Sequence, residues 1–376
     1  MSDNEELLAE PEEEGLSEFE KKYKAQMRQI VTQKLDLPIS TLPVMLHEQI
    51  KINPEFQRRD RWDEERQSRL IESLLMNVPI PPVFLGEDEY GFYVVLDGRQ
   101  RLTAIQSFLN NTLELKGLVV WDDLNGLRFN DLIKRGLSKH LTRRFISAIA
   151  LLKESSSVIK YDVFDRLNTG GVRANEMEVR NAVFRGGFTD ALHEFSRYPE
   201  FCKLWDIPTD IIAAQSNLFY QKMTDLSIVL RFFALSEPDE MGSAFKDHLS
   251  EFMDNRNKMY AADKSLEAKD AARFKRAVSN SLSIFGANSF RNSEKRPSGS
   301  LSIPIGEAIM IGLSDCDPAG ITPDTIAEIK KSFNELCRDP AFEKSTSSGT
   351  NGKGAIKIRV TKAKEMFEAH LPKLES

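Results

Sequence analysis

Residues 94–106 read Val-Val-Leu-Asp-Gly-Arg-Gln-Arg-Leu-Thr-Ala-Ile-Gln, an order of residue types that suits the capture of an anion. An apolar strand over Phe92–Leu96 runs into the turn Asp97-Gly98. Arg99, Gln100 and Arg101 follow, and then a helix begins with Leu102, Ile105 and Leu109 on one face. A helix start offers free backbone N–H groups and the positive end of the helix dipole. Arginine adds paired donors that match phosphate oxygens. Asp97, Gly98, Arg99, Gln100, Arg101 and Thr103 are therefore read as a phosphate site, for which a nucleotide is the natural ligand. Asp-Gly is also a common turn dipeptide, and arginines on a first helical turn are often simply solvated.

Three further groups bear on that choice. Pro54-Glu55-Phe56-Gln57-Arg58-Arg59 follows a short strand, and Gln57 and Arg58 could meet a base, sugar or phosphate from across a cleft. The alternative is a basic loop paired with Asp60, Asp63 or Glu64. Phe164-Asp165-Arg166-Leu167-Asn168-Thr169-Gly170-Gly171 places Asn168 at a helix end before two glycines, where backbone can approach a ligand closely. Asn168 there can orient a phosphate or ligate a hydrated Mg2+, or it is only a helix stop. Glu176, Glu178, Arg180 and Asn181 open a further helix. Either acid could polarise water or hold Mg2+ through water, or serve only the helix dipole.

Several chemistries are excluded. No GxxxxGK[ST] occurs, and Gly349-Thr-Asn-Gly352-Lys353-Gly354 has the wrong spacing and no preceding strand. The five histidines form neither HExxH nor an HNH-type arrangement, and there is no GxSxG elbow. Cys202, Cys316 and Cys337 are too far apart for a metal knuckle and fit free thiols in a reducing compartment. No apolar run approaches the roughly 20 residues that span a bilayer, and the acidic N-terminus is unlike a signal peptide. A cytoplasmic protein with no membrane partner is expected.

The elements that must position these groups form two domains, as the length of 376 residues suggests. The net charge of −6 conceals an asymmetry: residues 1–20 hold nine acids and no Lys or Arg, which leaves residues 21–376 at +3. Residues 1–20 are read as an acidic disordered tail. Residues 21–187 alternate short strands and helices: a helix over 18–35, one near Leu42–Gln49, a strand at Ile50–Ile52, and a helix over 63–76 with Asp63 as N-cap. Strands are expected at Val83–Gly86 and Gly91–Leu96, then the helix from Gln100. Residues 115–121 and 126–129 are strands or loops, and 130–152 is helix-rich up to Ile149-Ala150-Leu151-Leu152. A helix over Lys160–Asn168 precedes the one capped at Asn175. Residues 188–376 show helical periodicity throughout. Residues 291–300 are a polar loop, helices follow at 303–313 and 323–338, and a flexible loop over Lys344–Gly354 precedes a last helix at 356–370. Lys344, Lys353, Lys357, Arg359, Lys362 and Lys364 make this last segment basic. Lys353, Lys357 and Arg359 are the candidates for contact with a DNA backbone, the alternative being a solvated helix face.

The segment Asp97-Gly98-Arg99-Gln100-Arg101-Leu102-Thr103 resembles the Asp-Gly-Gln-Gln-Arg-Leu-Thr motif of the GmrSD-type restriction endonuclease N-terminal domain family. Phe56-Gln57-Arg58 with Trp62, Leu70-Ile71-Glu72-Ser73-Leu74, Val78-Pro79-Ile80-Pro81-Pro82, and Phe164-Asp165-Arg166-Leu167-Asn168 with Gly170 resemble its other elements in the same order. The resemblance implies an α+β class: a ParB/sulfiredoxin-like domain with a small mixed sheet, here followed by an all-helical domain. It also implies binding and hydrolysis of a nucleoside triphosphate with Mg2+ or another divalent cation, in restriction of modified phage DNA. Asp97, Arg99, Gln100 and Arg101 would then line the phosphates, Gln57 and Arg58 would lie opposite, and Asn168 would sit near the metal. Arg99 replaces the commoner Gln and adds positive charge.

The combined expectation is an NTP-binding and hydrolysing ParB-like protein that senses or regulates in a DNA-directed defence system. Asp97, Arg101 and Glu178 would be its catalytic residues. It has no HNH nuclease of its own, so a separate nuclease or effector subunit is the expected partner beside DNA, and a homo-oligomer is compatible. The competing class is a non-hydrolysing DNA-binding module or partner scaffold, in which the arginines meet DNA phosphates directly.

Overall fold

The computed structural model describes residues 30–52, 62–88, 91–155, 157–167, 175–242, 244–291 and 300–374. Its first part is built on a small mixed sheet: β1 (Thr32–Pro38), β2 (Ile50–Lys51), β3 (Val83–Glu87), β4 (Tyr93–Asp97) and β5 (Phe145–Leu151), in the order β1-β5-β3-β4-β2. β1 runs antiparallel to β5, β5 parallel to β3, β3 antiparallel to β4, and β4 parallel to β2. The helices beside this sheet are α1 (Leu42–Glu48), α2 (Glu64–Leu75), α3 (Arg99–Leu109), α4 (Phe129–Lys134) and α5 (Ser138–Thr142).

Two expectations fail here for one reason. Residues 32–35, assigned to a helix, belong to β1, and Ile149–Leu151, assigned to a helix end, belong to β5. Burial follows a period of two over Phe145–Ala148 of β5 and over Leu35–Leu37 of β1, where exposed Asp36 lies between half-buried Leu35 and buried Leu37. In β5, Ile146, Ala148 and Ala150 are buried while Phe145 and Ser147 are exposed, and in β1 Leu37 is the buried position. A period of two is the strand period, and β-branched Ile favours it further.

α2 starts where Asp63 accepts a hydrogen bond from the Arg66 N–H at 2.7 Å. Its Leu70, Ile71 and Leu74, with Leu102, Ile105 and Phe108 of α3, form a core with Val83, Leu85, Val95 and Ile146 of the sheet. The opposite side of the sheet is open at Phe145 and Ser147 but covered at the other end of β5 and along β4. Leu96 of β4 and Leu151 of β5 join a second core with Tyr161, Phe164, Met177, Val179 and Phe184. Tyr161 and Phe164 come from α6 (Ser157–Leu167), Met177 and Val179 from α7 (Glu176–Val183), and Phe184 directly follows α7, so both helices fasten the sheet to the helical part.

The helical part continues with α8 (Gly187–Ser196), α9 (Pro199–Leu204), α10 (Ile211–Ala214), α11 (Leu218–Gln221), α12 (Thr224–Ala234), α13 (Phe245–Ala262) and α14 (Ser265–Phe285). It closes with α15 (Ile303–Leu313), α16 (Pro323–Arg338), α17 (Pro340–Ser347) and α18 (Lys353–Glu368). α15 is apolar on all sides and buried at every position from Ile305 to Leu313, as a central helix must be. Phe188, Phe195, Phe232, Phe233 and Phe274 pack on one another in the same core. The loop expected over Lys344–Gly354 is shorter than its composition suggests: Lys344–Ser347 end α17, and Lys353 already begins α18. The class is thus α+β, a small mixed sheet followed by a mainly helical region. Among the described residues no helix is long and apolar enough to cross a membrane.

Candidate functional site

β4 delivers Asp97 to the end of the sheet, and the chain must reverse at once into α3. Gly98 makes that turn in the left-handed region at φ 93°. A Cβ there would overlap the Val83 side chain and come within 3.1 Å of the Arg101 guanidinium, so only glycine fits without strain. Among the described residues no side chain caps this start of α3, and no acid lies in its first turn. An uncapped helix start of this kind retains its attraction for anions.

Arg101 has specific partners. Its guanidinium donates to Asp97 Oδ2 at 2.6 Å, to the Pro81 carbonyl, and to the Pro82 carbonyl at 3.3 Å. The Arg101 side chain is 12% exposed and the Asp97 side chain 40%. Arg101 therefore ties the start of α3 to the proline turn that enters β3, and Asp97 offsets its charge. Gln100 works likewise: its Oε1 accepts from the Trp62 N–H at 3.1 Å, and the Trp62 carbonyl accepts from Gln67 Nε2 at 2.8 Å. The turn is braced against α2 as well. Arg99 and Thr103 are both half-buried on the same helix start. The turn thus holds the amide bend and the partly exposed Asp97 in place, with Arg99 beside them on the helix start. Gln57, Arg58 and Asn168 lie outside the described residues.

The helix start at Glu176 is a capping arrangement. Asn175 Oδ1 accepts from the N–H groups of Met177 and Glu178, and Glu178 Oε2 accepts from the Asn175 N–H at 2.9 Å. Asn175 Nδ2 donates to the Lys222 carbonyl at 2.8 Å, which anchors the cap to the helical part. α7 packs against β4, the strand that ends at Asp97. Arg180 is buried, donating to Ser250 Oγ at 3.1 Å and to the Lys246 carbonyl at 2.9 Å. Asn181 is buried too, with its Oδ1 3.0 Å from His193 Nε2. Arg180 and Asn181 thus bind the halves of the molecule together.

Of the basic residues expected to face DNA, Arg359 must be reassigned. It is fully buried: its Nε and NH2 groups donate to Glu307 Oε2 at 3.1 and 2.6 Å, and its NH1 group to the Thr350 carbonyl at 2.6 Å. Arg231 donates to the other Glu307 oxygen and, at 3.2 Å, to Asn351 Oδ1. A guanidinium that has left water must find a carboxylate, and Glu307 is the carboxylate. Burial pushes the Glu307 carboxyl up, but Arg231 and Arg359 more than reverse this and hold it below its ordinary value. Lys353 and Lys357 lie at the surface of α18. Lys353 donates to the Met241 carbonyl at 2.6 Å, and Lys357 to Asp239 Oδ1 at 2.5 Å.

Two structural acids escape a motif search. Glu307 is the single charge in the apolar run Ile303–Leu313, and a lone acid on a central helix signals a buried partner. Glu72 of α2 is buried, and its Oε1 accepts from the N–H groups of Val119, Val120 and Trp121 at 3.2, 2.9 and 2.9 Å. Nothing in the local sequence signals that role, because its partners lie nearly fifty positions away.

An α+β sheet domain whose glycine turn feeds a helix start that no described side chain caps, fused to a helical body, is the class of protein that the geometry defines. Residues 42–185 match the family described as the GmrSD restriction endonuclease N-terminal domain. The match spans the whole sheet domain from α1 onward and ends just past α7. Comparison with curated proteins and with solved structures found no match.

Proposed function

We propose that the sheet domain binds a nucleoside triphosphate with Mg2+ and hydrolyses it, and that this step regulates a DNA-directed defence response. The observation that carries the reading is the Asp97–Arg101 turn. A left-handed glycine opens an eleven-residue helix that no described side chain caps and whose first residue is Arg99. Phosphoryl transfer asks a protein mainly for positioning and charge neutralisation. In this reading the amide bend and Arg99 receive the phosphates. Arg101 is a positioning residue, because its hydrogen bonds to Asp97, Pro81 and Pro82 fix the turn.

A hydrated Mg2+ is bound through one or two carboxylates plus substrate phosphates. Asp97 fits that demand: its side chain is 40% exposed, with Oδ2 engaged by Arg101. Asn168 is the second group offered by the family resemblance. The cation would neutralise charge on the phosphate oxygens. Glu178 keeps its role as a cap and contributes by holding α7 against β4.

The test is a thermal-shift panel of nucleotides with and without Mg2+, followed by phosphate-release assays. A true ligand raises the unfolding temperature by mass action. Asp97→Asn should reduce the Mg2+-dependent part of the shift, and Arg99→Ala the nucleotide-dependent part. Phosphate release should fall sharply in Arg101→Ala, and an undiminished rate there removes the proposed role of the turn.

A further inference from the structure

From Leu132 to Lys153 the chain carries six Lys or Arg residues and no acid, although acids outnumber bases over the whole sequence, 57 to 51. The structure concentrates five of the six at one place. Lys134 and Arg135 end α4, Gly136 at φ 73° turns the chain, and α5 carries Lys139, with Arg143 and Arg144 at its end. Leu132 and Leu141 are fully buried and pin both helices to the sheet core. The Ile39 N–H donates to the Arg144 carbonyl at 3.0 Å, which ties the segment to the end of β1. Lys139 and Arg143 stand four residues apart and so share one side of α5. Lys134, Arg135, Lys139, His140 and Arg143 are all exposed.

Cations near helix C-termini partly serve the helix dipole, but here they exceed that need. Lys134 pairs with Asp131 at 3.3 Å. Among the described residues no carboxylate lies within ion-pair distance of Arg135, Lys139, Arg143 or Arg144, whereas exposed Arg128 and Arg166 each meet one at 3.3 Å. Beside them Phe145 is 60% exposed and Ile133 51% exposed. Exposed cations at this density suit a nucleic-acid backbone, whose phosphates they can meet.

We propose that the Lys134–Phe145 surface binds the phosphodiester backbone of DNA. Three of its five Lys and Arg residues are arginines, whose forked donors fit phosphate oxygens better than ammonium groups do. An anionic membrane is the less suitable occupant. α4 and α5 have six and five residues, too short to lay an amphipathic face into a lipid interface. This inference rests on the DNA-directed role proposed above and not on nucleotide hydrolysis.

The experiment measures binding of the full chain to a random-sequence DNA duplex across a salt series, without nucleotide. The wild type should bind with steep salt dependence. The Lys139→Glu/Arg143→Glu double variant should bind about tenfold more weakly or worse, with a salt slope shallower by about two. Lys139→Gln/Arg143→Gln removes charge without reversal and should give the same shallower slope. Lys330→Glu/Lys331→Glu, with the same change in net charge on α16, should bind like the wild type. Equal weakening in both Glu variants, or no weakening at Lys139 and Arg143, overturns the proposal. So does loss of binding to phosphatidylserine-containing vesicles with DNA binding intact. Nucleotide thermal shifts on the same variants should be unchanged. A wild type that binds DNA through this surface yet gives no nucleotide shift would defeat the hydrolysis reading alone.

Discussion

The two halves of this molecule handle charge in opposite ways. In the helical half, Glu307 and Arg359 are shut away from water and answer each other there, with Arg231 at the rim. In the sheet half, Asp97 and Arg101 meet at the open end of a strand, and Asp97 stays partly in solvent. Buried charges fix architecture, because any change leaves an uncompensated ion. A carboxylate at a turn that keeps contact with solvent, as Asp97 does, can still meet a ligand. The difference supports the proposed ligand site at the glycine turn, and it takes Arg359 of α18 out of any surface role.

The comparison breaks most easily at Glu307. Glu307→Gln leaves two guanidinium groups without their carboxylate and should cost about 3–5 kcal/mol in urea unfolding. The pH dependence has a fixed sign. The folded carboxyl titrates below its ordinary value of 4.5, so its contribution is complete above that pH and is lost as pH falls through the lower folded value. The gap between wild type and Glu307→Gln should therefore narrow only in acid, and a gap constant with pH would refute the buried pairing.

Gly98→Ala is next. The left-handed φ and the encounter with Val83 should cost about 2–3 kcal/mol and abolish the nucleotide thermal shift. A stable variant with an intact shift would show that the turn is not what receives phosphate. Glu72→Gln should cost about 1–2 kcal/mol by weakening three amide contacts. Hydrogen exchange at Val119–Trp121 should accelerate while that at α3 stays unchanged. The smallest effect belongs to Lys357→Ala: both partners of its pair with Asp239 are well exposed, so the unfolding temperature should not move.

Much of this was legible in the sequence. The α2 cap at Asp63, the strand that ends at Asp97, the start of α3 and the bounds of α15 all follow from local chemistry: a capping acid, a glycine turn, an apolar run. β1 holds only two leucines among polar residues and β5 is a short apolar run, and neither shows its period until the two strands pair. Arg359 was misplaced for a related reason. On the sequence alone it is one of several cations in a basic stretch, and nothing near it reveals the carboxylate 52 positions earlier. Arg101 was correctly placed at the turn, but its proline carbonyl partners arrive from 20 positions upstream.

The sequence by itself determined where the chain turns, which helices are capped, and that residues 94–106 end a strand on a glycine and begin a cationic helix. Those are consequences of backbone sterics and of hydrogen bonds only a few residues long. The tertiary structure decided which charges meet water and which meet each other. That choice depends on desolvation, which is a property of the packed surroundings, and those surroundings are assembled from segments far apart in the chain.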